Sequence, residues 1–308
     1  MPIGSMTRRH FGAGALLFAA RAALGAGKTP PANFPVDPRE RIGVATYPFR
    51  KWILAPGNED RDASKPGMDL PAFARFIKSE FKVSGIEPLD SHFPSKERSE
   101  IVKLRAAFDA AGVRVVNIPV DEAVELCSED AAKRTAGNAS YRNWIDIAVI
   151  LGSPSIRIWI PKCSDASDLP KAVKALQPTI EYAASQNIVV NLENDDPVSA
   201  SAPRVLAAIK MADSPYFRAL PDFGNALMGG DEKFNADAVK SMFTKAWNIA
   251  HVKDAEFIEG KNKTASLKRL FAIAKASGYR GYYSMESDSD ADPLPDTRHL
   301  IEQSLALM

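Results

Sequence analysis

Histidine and cysteine are scarce in this chain: 308 residues carry only four of the first and two of the second. Cys127 and Cys163 make neither a C-x-x-C pair nor a zinc pattern. They fall in different predicted loops and are expected to stay unpaired, although export would permit a bridge. The histidines are His10, His92, His251 and His299, too few for a site built from many imidazoles. An excess of either charge is also missing, since 39 basic residues face 38 acidic ones and the net charge is +1. With no basic stripe, a nucleic-acid partner has no electrostatic support. No G-x-G-x-x-G or G-x-x-x-x-G-K follows any strand-like run, which removes the usual phosphate cradles. The remaining composition, 45% hydrophobic and 25% charged, is that of an ordinary globular chain long enough for a large core.

The first segment is set apart from the fold. Thr7-Arg8-Arg9-His10-Phe11 precedes a mildly apolar run from Gly12 to Ala26, then Lys28-Thr29-Pro30-Pro31. A basic start, a short apolar stretch with Arg21 inside it, and small residues before a polar segment describe an export signal of the twin-arginine type. The run is too short and too polar to span a bilayer. The expectation is a signal over 1–26, cleaved near Ala22 or Ala26, a linker over 27–41, and an exported, periplasmic protein with no membrane attachment after cleavage.

From residue 42 onward short β-like runs alternate with amphipathic helical stretches. The predicted strands are Ile42–Tyr47, Val83–Leu89, Val113–Pro119, Ser155–Ile160, Ile188–Leu192, Phe217–Pro221, Asn248–His251 and Tyr282–Met285. Between them apolar residues recur at helical spacing, as in Leu70-Phe73-Phe76-Ile77 and Val173-Leu176-Ile180. Gly112, Gly152 and Gly278 stand where helix ends are expected. Strand–helix alternation implies parallel strands with crossover helices. Eight units fit a single-domain (β/α)8 TIM barrel over 42–308. An open doubly wound sheet is the competitor, and it lacks its glycine-rich loop. Residues 54–67, 121–138 and 226–238 read as loops.

Acid gathers at the tips of the last four predicted strands. "VVNLE" ends in Glu193, "FRALPD" in Asp222, "AWNIAH" in His251 and "GYYSME" in Glu286. They are spaced by roughly 30 to 35 residues, about one βα unit each, and in a barrel all such tips open on one face. Three carboxylates meeting there without a cation would repel one another. One divalent ion removes that cost, and three oxygens with one imidazole suit Mn2+, Mg2+ or Co2+, with Zn2+ also compatible. Any one of the four could instead be a helix cap; four in register are much harder to reach by capping.

These tips, with the surrounding "PDFGN", "HVKD" and "MES", resemble the xylose isomerase-like TIM barrel superfamily of sugar phosphate isomerases and epimerases. Its other members include ketose 3-epimerases, inosose and dehydroshikimate dehydratases, and endonuclease IV. The resemblance implies one metal held by Glu193, Asp222, His251 and Glu286, with Glu193 and Glu286 also acting as the acid/base pair. The implied chemistry is α-proton abstraction from a sugar through a metal-stabilised cis-enediolate. Returning the proton to the same carbon epimerises, returning it to the neighbouring carbon isomerises, and losing a β-substituent eliminates. Isomerase or epimerase is the first expectation. A keto-sugar or keto-glycoside lyase or dehydratase follows, and a non-catalytic sugar-binding barrel is the different-class alternative. Epimerases of this kind often carry His three residues after the metal Asp; Asn225 stands there, which weakens simple ketose epimerisation. Three zinc ions of the endonuclease IV type cannot be built from this histidine supply. The family also implies a homodimer.

Five further residues are expected near the substrate: His92, in "EPLDSHFP"; Glu87, just inside the second strand tip; Asn225; Lys253, two residues beyond His251 on the same strand face; and Trp159, which with Tyr47 could supply an apolar face for a sugar.

Overall fold

Two half-barrels of parallel strands join into one closed ring. The computed structural model describes residues 30–31, 33–160, 163, 166–195, 201–258, 260–288 and 292–308. The expected export signal lies outside these residues. β1 (Ile42–Ala45) lies between β2 (Gly85–Glu87) and β11 (Tyr282–Met285). β2 continues to β3 (Arg114–Val115), and β11 to β8 (Ile249–Val252). The second half runs β4 (Ile118–Val120), β5 (Ser155–Ile158), β6 (Val189–Glu193), β7 (Phe217–Leu220). β3 and β4 are two parts of a single strand, the predicted third, and they join the halves on one side. On the other side β7 meets β8 through the parallel bridges Ala219 to Ala246 and Asp222 to His251. Eight strand positions therefore close, as the alternation predicts. β9 (Ala255–Ile258) and β10 (Lys261–Thr264) form an antiparallel hairpin outside the ring.

Among the described residues eight helices surround it: α1 (Leu70–Phe81), α2 (Arg98–Ala111), α3 (Ala131–Leu151), α4 (Leu169–Gln186), α5 (Ala202–Ala212), α6 (Glu232–Met242), α7 (Leu267–Ala276) and α8 (Pro293–Leu307). Each packs on the next in sequence. α1 shows why they form. Asp69 caps the Ala72 N–H at 2.8 Å, and Leu70, Phe73, Ile77 and Phe81 share the buried face. Gly112 and Gly152 end α2 and α3 with φ of 65° and 72°, a conformation that costs a side chain strain.

Three readings change. The loop expected over 121–138 gives way at Ala131 to α3, and that over 226–238 gives way at Glu232 to α6. Both helices begin with polar turns that show little apolar periodicity. The expected linker packs where it is described: Phe34 meets Trp247 and Tyr282 edge-on and covers the Val116, Leu220, Ile249 and Tyr282 cluster. Finally, Cys127 and Cys163 are bonded, with Cα atoms 5.3 Å apart. The loops after β4 and β5 are distant in sequence, but adjacent parallel strands deliver them to the same barrel face. The bridge closes a loop of 36 residues. Its reduction should lower unfolding stability by about 3 kcal/mol, seen as a lower Tm with reductant than without. An unchanged Tm would contradict this.

Candidate metal centre

Side chains alternate along a strand, so residues two apart share a face. Inside the barrel this places Glu87 above Gly85, Arg157 above Ser155, Glu193 above Asn191, Lys253 above His251 and Glu286 above Ser284. The lower layer is polar and tied together. Asn191 Nδ2 donates to Asn248 Oδ1 at 3.0 Å, Asn248 Nδ2 to Ser155 Oγ at 2.7 Å, and Ser155 Oγ to Asn117 Oδ1 at 2.5 Å. Asn117 Nδ2 in turn donates to Glu87 Oε1 at 2.7 Å.

At the top of this network sit the four expected ligands. Glu193, Asp222, His251 and Glu286 each offer a donor atom, and those atoms lie within 4.8 Å of one another. All four residues are buried. His251 is at the centre. Its Nδ1 lies 2.9 Å from Glu193 Oε1, 2.8 Å from Glu286 Oε2 and 3.9 Å from Asp222 Oδ2. Its Nε2 faces away, 3.0 Å from Glu87 Oε1. Burial acts to lower the His251 pKa, but Glu286, Glu87 and Glu193 hold it well above the usual value.

Asp222 decides whether a cation fits. Its Oδ1 accepts the backbone N–H groups of Gly224 at 2.7 Å and Asn225 at 2.5 Å. Its Oδ2 is buried without a hydrogen bond and faces the other three donors. Burial pushes this carboxyl up to about 7. Lys253 Nζ and His251 Nδ1 stand 3.7 and 3.9 Å from Oδ2, beyond hydrogen-bond reach, and a bound divalent ion would supply the missing contact. The donor set, mostly oxygen with one imidazole, fits such an ion without fixing its identity.

Two buried cations flank the cluster. Arg157, which escaped the sequence reading, reaches Glu193 Oε2 through Nε at 2.6 Å and pairs with Asp121 through Nη1. Its signal was present: one charged residue inside the apolar strand "SIRIWI". Burial would raise the Glu193 pKa, but Arg157 and His251 reverse this and hold it at about 2. Lys253 Nζ donates to Asn225 Oδ1 at 2.8 Å and lies 3.7 Å from Asp222 Oδ2. A Cβ at Gly224 would come within 2.7 Å of Lys253 Cγ, so the lysine stem needs glycine there.

A cavity of about 300 Å³ opens over the cluster. Glu87, Asn225 and Lys253, expected near a substrate, line it, as do Tyr47, Asp195 and Glu256. His92 and Trp159 do not line it. The His92 ring is fully buried and turned back onto Thr46 Oγ1 at 2.7 Å, and burial lowers its pKa to about 4. Trp159 is half-buried beside Tyr141, whose hydroxyl donates to the Trp159 carbonyl at 3.3 Å. His299, on α8, pairs with Asp254 and is not one of the clustered donors.

Residues 78–308 match the family model described as a xylose isomerase-like TIM barrel. This chain belongs to that family. Among curated proteins none matches the sequence significantly. Solved structures share the fold. A xylose isomerase-like TIM barrel protein from Mycobacterium smegmatis, in complex with magnesium, superposes with a TM-score of 0.62 at 16% identity, covering 87% of this chain and 97% of that one. D-Psicose 3-epimerase in the presence of D-fructose gives 0.65 at 15%, covering 87% and 99%. The probable 3-DHS dehydratase of petrobactin synthesis from Bacillus anthracis gives 0.63 at 12%, covering 85% and 97%. This xylose isomerase-like chain thus shares its barrel with epimerases and with a dehydratase alike.

Proposed function

We propose that the protein is a divalent-metal-dependent sugar isomerase or epimerase that works by removing a proton α to a carbonyl. The supporting observation is the convergence of Glu193, Asp222, His251 and Glu286 within 4.8 Å at the barrel mouth, with Asp222 Oδ2 buried and unbonded. When bound, a divalent ion would polarise the substrate oxygens and stabilise enediolate charge. The chain's own residues supply the rest. Glu286 lines the cavity and can take the α-proton; returning it to the neighbouring carbon isomerises, whereas epimerisation needs Glu193 to deliver a proton from the opposite face. Lys253 and Asn225, bonded to each other, present a donor and an amide to substrate hydroxyls. Burial of the cluster excludes bulk water and strengthens every charge interaction there. The test is solvent deuterium incorporation into a panel of ketoses and keto-glycosides by metal-loaded protein. Label at an α-carbon with an unchanged skeleton supports the reading, whereas no exchange with any of them would favour a binding protein.

A second reading, β-elimination from a keto-sugar or keto-glycoside, is favoured by the Arg157 contact. One Glu193 oxygen faces the cluster and the other faces a guanidinium, which cannot give up its role to a substrate proton. That leaves Glu286 as the freer proton carrier. Elimination needs one such group: the α-proton goes to Glu286 while the leaving group departs with its bonding pair and a C=C bond forms. Release of water or an aglycone in the same assay identifies this outcome. Export remains part of the proposal, and a Cys127–Cys163 bridge suits an oxidising compartment. Recovery of the processed protein from the periplasm would support it, and retention in the cytoplasm would oppose it.

A further inference from the structure

The metal cavity does not end at its own walls. Tyr47, Leu89 and Asp121 also line a second cavity of about 520 Å³, so the two hollows adjoin along one shared edge. The first, at about 300 Å³, is at the low end of small-molecule sites. The pair offers room for a considerably longer ligand.

The wall of the second hollow is built rather than loose. The Asp90 carboxylate accepts the N–H of Ser91 at 2.7 Å and those of Asp121 and Glu122 at 3.0 Å, tying the turn after β2 to the loop after β4. Glu122 accepts from Trp144 Nε1 on α3 at 3.1 Å and from Lys96 Nζ at 3.1 Å. The Lys96 ammonium stands 5.0 Å from the Trp144 ring centre. The Cys127–Cys163 bridge anchors the far end of the same β4 loop.

The chemistry of that wall selects its occupant. Lys96, Asp121 and Glu122 present charged groups that are partly open to solvent, with side-chain exposures of 44%, 43% and 38%. Of the aromatic residues, Phe93 and Trp144 are almost fully buried, and the half-buried Tyr47 ring at the shared edge already carries the Arg50 guanidinium, 4.4 Å from its centre. A flat apolar group would find little beyond the Tyr47 edge to stack on, whereas a hydroxyl-rich ring would meet carboxylate acceptors and an ammonium donor. Asp121 also pairs with Arg157, which contacts Glu193, so the shared edge leads directly to the metal cluster.

We propose that the second cavity is a subsite for a second sugar ring, joined by a glycosidic bond to the ring that reacts at the metal centre. This rests on the sugar-active reading of that centre and narrows it from free monosaccharides to glycosides of two rings. The test is calorimetric titration of Mn2+-loaded full-length protein with D-fructose and with three two-ring ketoses: lactulose, isomaltulose and turanose. At least one two-ring ketose should bind ten-fold or more tighter than fructose. Ser91→Trp, which fills the second hollow, should bring that ketose to within two-fold of fructose and leave fructose unchanged. Lys96→Ala, a milder change at the same wall, should lower the preference at least three-fold. The proposal is overturned if no two-ring ketose binds tighter than fructose, or if the preference survives in both variants. Deuterium exchange is scored separately: a two-ring preference without exchange keeps the subsite and removes the isomerase reading, while fructose exchange without a preference does the reverse.

Discussion

Glu286→Gln should lower turnover by about 10²–10⁴-fold, the range that a positioned proton carrier contributes, with little change in folding. Glu286 directly follows β11, its backbone N–H bonded to the Val252 carbonyl at 3.0 Å, and it borders the cavity. Glutamine is nearly isosteric and keeps an oxygen toward the cluster, but its amide cannot take up a proton. The variant should therefore still show a Tm that rises on adding metal while exchange of α-hydrogen is lost. In a sugar-binding barrel the same change would leave ligand affinity within a few-fold. Full retention of exchange would assign the proton transfer elsewhere.

Glu87→Gln should weaken metal affinity by about 10- to 100-fold, the usual effect of removing the group that orients a ligating imidazole. Glu87 and His251 are both fully buried, and Oε1 stands 3.0 Å from Nε2. With Nε2 bonded to Glu87, Nδ1 is the nitrogen that faces Glu193, Asp222 and Glu286. Burial acts to raise the Glu87 pKa, but His251 and the hydrogen bonds of Ser284 and Asn117 hold it below the usual value, so the carboxylate stays charged. An amide could bond Nε2 with its oxygen but would return none of that charge. The same Oε1 accepts from Asn117 Nδ2 at 2.7 Å, so the amide oxygen would keep both bonds and the lost charge is the whole difference at that atom. Competitive titration against a metallochromic dye measures the change. Affinity within two-fold of the native value would show that the barrel holds His251 without Glu87.

The barrel and the convergence of its four strand-tip residues could be read from the chain because both follow from strict periodicities. Strand starts recur with the βα unit, and a metal-competent group at four successive tips needs no side-chain detail to be placed together. The missed features depend on neighbours that periodicity does not describe. Arg157 is one polar residue in an apolar strand, and only the closed ring shows that Asp121 and Glu193 flank it. His92 looked like a mouth residue by its position after β2, yet the turn from Asp90 to His92 rotates its ring back to Thr46. The disulfide was invisible for the same reason, since its loops meet through the pairing of β4 with β5. The β9–β10 hairpin carries mostly exposed residues, such as Lys261-Asn262-Lys263-Thr264, and so gave no alternation to detect.

The most direct test is a crystal structure of the protein soaked with Mn2+, with the ion located by its anomalous signal. One ion per chain is expected, within about 2.0–2.5 Å of donor atoms from Glu193, Asp222, His251 and Glu286, with His251 ligating through Nδ1. An ion bound elsewhere, or a cluster that stays closed on His251 at millimolar metal, would contradict the account.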